Sequence, residues 1–88
     1  MDKRLFLVVW HDAQGGGNTG WRPVGELGEI REVKVWSTGV ILHEDQKRLV
    51  ICPHFILDKS GNPVEGDAEL AIPQDWIISK RELFYDKD

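Results

Sequence analysis

Residues 33–57 read VKVWSTGVILHEDQKRLVICPHFIL, two long apolar runs rich in β-formers and joined by one charged tetrapeptide, Glu44-Asp45-Gln46-Lys47. Val, Ile, Leu, Trp and Phe fill both arms and the turn-formers sit at the join, so the stretch predicts one long antiparallel hairpin with arms over 33–44 and 47–57. Setting Glu44 opposite Lys47 fixes the later pairs as Leu42 with Leu49, Val40 with Ile51, Thr38 with Pro53 and Trp36 with Phe55. That face is the expected core, with Trp36 at its centre. The opposite face carries Ser37, Gly39, Ile41, Val50, Cys52 and His54, a smaller and more mixed set. Gly39, in the middle of its arm, predicts a bend or bulge that lets the strand curl.

The flanking segments predict further strands and no long helix. Residues 5–12 put Leu5, Leu7, Val9 and His11 on one face and Phe6, Val8, Trp10 and Asp12 on the other. Both faces are apolar, which suits a strand inside a small barrel or sandwich. Residues 14–20, QGGGNTG, form a loop, and Pro23, Gly25 and Gly28 break any helical period before Val33. After a turn cluster at 58–63, residues 67–72 alternate with Ala68, Leu70 and Ile72 inward. Pro73-Gln74-Asp75-Trp76 forms one tight turn before a last strand from Ile77. A short turn before a terminal strand is similar to SH3-like and Sm-like small barrels. The expected fold is therefore all-β, a single small antiparallel barrel domain over residues 1–88 with one long central hairpin.

A chain of 88 residues holds one small core, since about 64 % of its unfolded surface is buried on folding. With 41 % hydrophobic and 30 % charged residues it has the composition of an ordinary globular domain, with no apolar run long enough for a spanning helix. The apolar run at 5–10 is too short for a signal peptide's hydrophobic region, and the single cysteine, Cys52, permits no intrachain disulfide. Both point to the cytoplasm. Net charge is −4, from 11 basic and 15 acidic residues, and the excess acid falls after residue 43. Nucleic-acid affinity rests on Lys and Arg against phosphate, so the balance disfavours DNA or RNA.

The constellations that could carry chemistry read more simply as structure. Cys52 and His54, two apart on a strand, could share a metal ion, but zinc needs about four ligands, and His43 lies too far along the hairpin to join them. The glycine run lacks the Gly-Lys-Ser/Thr ending and following helix of a phosphate loop. A Cys52 nucleophile would need a base within reach, and His54 sits parallel to it on the strand. No catalytic residue, metal or cofactor is expected. Trp10 and Trp36 read as core, whereas Trp21 and Trp76 lie beside loops, where an indole can plug a barrel end or anchor a partner. Glu65, Asp67, Glu69 and Asp75 crowd eleven residues with negative charge, a solvated face or a patch for a basic partner.

The order Val-Val-Trp-His-Asp-Ala, Gly-Trp near residue 20, Glu-Leu, Val-Lys-Val-Trp-Ser-Thr-Gly-Val-Ile-Leu-His-Glu-Asp, Pro-His and Ile-Pro, closed by Ile77 and Glu82-Leu83, resembles a group of short proteins encoded by bacteriophages and prophages. Its marks here are Trp10, Trp21, Gly39, Glu44-Asp45, Pro53-His54 and Ile72-Pro73; where related sequences often show Ser-Val-Gly, this chain has Ser37-Thr38-Gly39. The resemblance brings no catalytic residue with it. It implies a phage accessory protein acting in the cytoplasm of an infected bacterium by binding a host or phage protein. The expected binding residues are Trp21, Glu65, Asp67, Glu69, Asp75 and Trp76. A small-barrel nucleic-acid binder using Lys34, Lys47, Arg48, Lys80 and Arg81 is one alternative. A structural homo-oligomer is another.

Overall fold

The structure, a computed structural model, describes residues 3–12, 21, 23–26 and 33–85, and the glycine-run loop expected at 14–20 lies outside them. Seven strands run in order: β1 Leu5–Asp12, β2 Val33–Glu44, β3 Arg48–Cys52, β4 His54–Leu57, β5 Pro63–Asp67, β6 Leu70–Pro73 and β7 Ile77–Leu83. One-turn 3-10 helices at Val24–Glu26 and Gln74–Trp76 complete the described elements. All pairings are antiparallel, in a five-stranded sheet ordered β6-β3-β2-β1-β7 and a separate two-stranded sheet of β4 and β5. None of the described helices is long and apolar enough to cross a membrane.

β1 lies between β2 and β7, hydrogen-bonded along both edges. Val8 and Trp10 are buried on one side, and Leu5, Leu7 and Val9 are half-buried on the other. Leu49, Ile51 and Ile72 join Val8 and Trp10 in the core, with Val35, Ile41 and Ile77 packed against them. The sheet curls around this core. Only Gln74–Trp76 separates the two edge strands β6 and β7. Four residue steps reach at most ~14 Å, while the edges of a flat five-stranded sheet stand roughly 19 Å apart. Curling stops short of closure, since β6 pairs only with β3 and β7 only with β1.

The hairpin turn forms where the sequence places it. Asp45 Oδ1 accepts hydrogen bonds from Lys47 N at 2.8 Å and Arg48 N at 2.9 Å, and Asp45 N donates to Arg48 O at 2.9 Å. The register differs from the expected one. Glu44 faces Leu49, His43 faces Val50, Ile41 faces Ile51 and Val40 faces Cys52, with Leu42 the extra residue of a bulge. Pairing Ile51 with Ile41 instead of Val40 is a one-residue slip, and at a side-chain period of two that exchanges the faces of β2. Val35 and Ile41 therefore face the core, while Trp36 is 74 % exposed and Leu42 44 % exposed. The expected core role of Trp36 is overturned.

The second arm also ends early. Pro53 has no N–H to donate to the ladder, and after it the chain leaves β2 and pairs β4 with β5 instead. The expected pairs Thr38–Pro53 and Trp36–Phe55 are not made. At the point of departure the strands come so close that a Cβ on Gly39, whose φ is +156°, would lie 2.4 Å from the Cys52 carbonyl oxygen. Residues 67–72, expected as one strand, are divided between β5 and β6 by Ala68, whose φ of 63° is left-handed. Ile72 is buried as expected, but Leu70 is 39 % exposed.

Candidate interaction site

The residues expected to bind a partner fall into three places. Trp21 stands fully exposed beside Pro23. Trp76, in the 3-10 turn, stacks on Trp10 with ring centroids 6.3 Å apart and planes 13° apart, and Trp10 Nε1 donates to Ser37 Oγ at 3.0 Å. Trp76 therefore caps the curled sheet at the end where its edges approach, with 38 % of its surface still exposed. Asp75 shares that turn. Glu65 and Asp67 lie on β5 and Glu69 just beyond it, separated from Asp75 by the four residues of β6, about 13 Å of strand. The acidic run, one cluster in sequence, is two in space, and Trp76 lies with the smaller.

On the β4–β5 hairpin, Asp67 pairs with His54 and Glu65 with Ile56, so these four side chains share a face. They line a shallow hollow of about 440 Å³. Glu65, Asp67 and Glu69 are exposed, and their carboxylates meet no cation among the described residues. Ile56, Leu57 and Val64 are more than half exposed on the same hairpin. At its base the buried Cys52 thiol lies 3.3 Å from His54 O and 3.4 Å from Asp67 O, donating toward both carbonyls. Cys52 thus ties the hairpin's two strands to β3, while His54 is exposed, so the two do not act as a pair. No group of three or more His, Cys, Asp or Glu able to hold a metal ion occurs among the described residues.

The cations of the nucleic-acid alternative are dispersed. Lys34 sits at one end of β2 and Lys47 and Arg48 at the other, roughly 30 Å away along the strand. Lys80 Nζ donates to Glu44 Oε1 at 2.7 Å, across the concave side from β7 to β2. This bond holds the Glu44 carboxyl below its ordinary value; partial burial opposes it and Gln74 Nε2, at 3.2 Å, assists. Asp45 is lowered further, to about 2, first by the His43 imidazole at 2.7 Å and then by the Arg48 and Lys47 amides.

Sequence reasoning missed a second feature. β3 covers β2 only from Val40 to Glu44, so among the described residues the edge of β2 over 33–38 pairs with β1 alone. Beside it, Ser37, Thr38, Ile51, Pro53, Ala68 and Leu70 line a groove of about 240 Å³. Its signal was Pro53, a non-donor in the arm meant to cover that edge. Comparison with protein-family models, curated proteins and solved structures finds no match.

Proposed function

We propose that this chain is a non-enzymatic protein-binding module, built on an SH3-like small barrel and serving a bacteriophage or prophage in the cytoplasm of the infected cell. The strand order supports the barrel type: the last strand pairs with the first, β2 and β3 follow in a meander on the other side, β6 joins them after the β4–β5 excursion, and one 3-10 turn joins the edges. A single observation carries the binding role. Exposed Ile56, Leu57 and Val64 stand on one small hairpin with the carboxylates of Glu65 and Asp67, which meet no cation among the described residues. Apolar area beside a single-sign field suits a basic protein partner, the charge speeding encounter and the apolar contact slowing release.

Affinity capture from a lysate of infected host cells tests this. The chain should retain a nuclease-resistant protein, with yield falling as salt rises, and Glu65→Lys with Asp67→Lys should lose it. Retention of nothing, or only of nuclease-sensitive material, would overturn the reading.

A further inference from the structure

β2 runs twelve residues, and its first half offers a sheet edge that no described strand covers. Alternate residues of 33–38 direct N–H and C=O groups away from β1, toward the side that β3 leaves after Cys52. Such an edge is ordinarily blunted by proline, a bulge or several charges. Here Val-Lys-Val-Trp-Ser-Thr contains one charge, Lys34, and no proline or glycine. The groove of about 240 Å³ begins on this edge, at Ser37 and Thr38, and continues to Pro53, Ala68 and Leu70. Leu70, at the groove's far end, is 39 % exposed. Ala68, in its wall, is flanked in sequence by Asp67 and Glu69, both exposed and meeting no cation among the described residues.

We propose that the edge of β2 over residues 33–38 binds an extended basic segment of a partner protein by strand addition. The segment alternates apolar residues with Lys or Arg: its backbone pairs with β2, an apolar side chain enters the groove at Pro53 and Leu70, and its cations meet Asp67 and Glu69. Main-chain pairing supplies affinity and the alternate side chains supply selectivity. A second copy of this chain fits less well. Its own edge carries only Lys34, and pairing would join two molecules of charge −4, each with Asp67 and Glu69 near the contact. The inference rests on the protein-binding reading above and adds the site and the partner's chemistry.

The probe is the peptide acetyl-Lys-Val-Lys-Val-Lys-Val-amide, titrated against the whole chain at low salt by calorimetry, with amide chemical shifts locating the contact. Binding should weaken with added salt, with the largest shifts over residues 33–38. It should fall at least tenfold for one of the two alternately N-methylated peptides and for Asp67→Lys with Glu69→Lys, whose side chains bond to no described residue. The corresponding Glu-Val peptide should not bind. Equal binding by both N-methylated peptides, equal binding by the Glu-Val peptide, shifts confined to β5 or β7, or a dimer formed through this edge would each overturn the inference. If the Lys-Val peptide fails to bind while the lysate partner is still retained, the strand-addition site falls and the protein-binding reading stands.

Discussion

Asp45 carries the turn on which the whole hairpin depends. Its carboxylate accepts two backbone amides and sits 2.7 Å from His43 Nε2, which together draw its pKa from 3.8 to about 2. A carboxyl whose pKa is depressed by folding contributes stability that is present above its unfolded value and lost as pH falls through the folded one. The melting temperature should therefore drop between about pH 4 and pH 2, and Asp45→Asn, which keeps an acceptor oxygen but no charge, should flatten part of that drop. Glu44, lowered by Lys80, leaves a remainder of the same sign. Two tryptophans give a second contrast. Trp10 is 7 % exposed and Trp36 74 %. Trp10→Ala should cost on the order of 3–5 kcal/mol in a denaturant titration, and Trp36→Ala less than about 1. Equal costs would mean that the solution register of β2 is the unslipped one.

At the scale of the element, β2 is governed by its crossing with the end of β3. Gly39→Ala would drive a Cβ to 2.4 Å from the Cys52 oxygen and 2.8 Å from its carbon, both backbone atoms that cannot rotate away. It should cost roughly 1–3 kcal/mol, measurable as a lower denaturation midpoint, unless β3 separates from β2 there. The β4–β5 hairpin is the opposite case. Two strands paired only with each other are marginal in water, and this pair is held at its base by Cys52 and at its tip by Lys3 Nζ donating to Gly61 O at 3.2 Å. Amide exchange should therefore be far faster in residues 54–67 than in β1 and the paired half of β2, by at least about a hundredfold. Protection equal to that of β1 would show that the hairpin opens only with the whole sheet.

For the molecule as a whole, the decisive contact is the one joining the two ends of the sheet. β6 and β7 do not pair, so their approach depends on the 3-10 turn, where Gln74 N donates to Lys47 O at 2.9 Å and Trp76 stacks on Trp10. Trp76→Ala should cost about 1–3 kcal/mol and alter the near-ultraviolet dichroism of Trp10, since an aromatic stack contributes beyond its buried area. A variant with unchanged stability and weakened partner binding would make Trp76 an anchor and not a plug. Much of the architecture was legible without coordinates: β1 and β7, the turn at Asp45, the core face of β3 and the short turn at Gln74 follow from local pattern and turn chemistry. Alternation names two faces of a strand and cannot say which is inward when both are apolar, as with Val35 and Ile41 against Trp36 and Leu42. Only pairing at long range, through the bulge at Leu42 and the crossing at Gly39, decided that sign. The same held for the second arm. Pro53 announced in sequence that the ladder must break, but where the freed strand went, and hence the edge that no described strand covers and the groove beside it, was set by Asp67 and Gly66 arriving from thirteen and eleven residues further on to pair with His54 and Phe55.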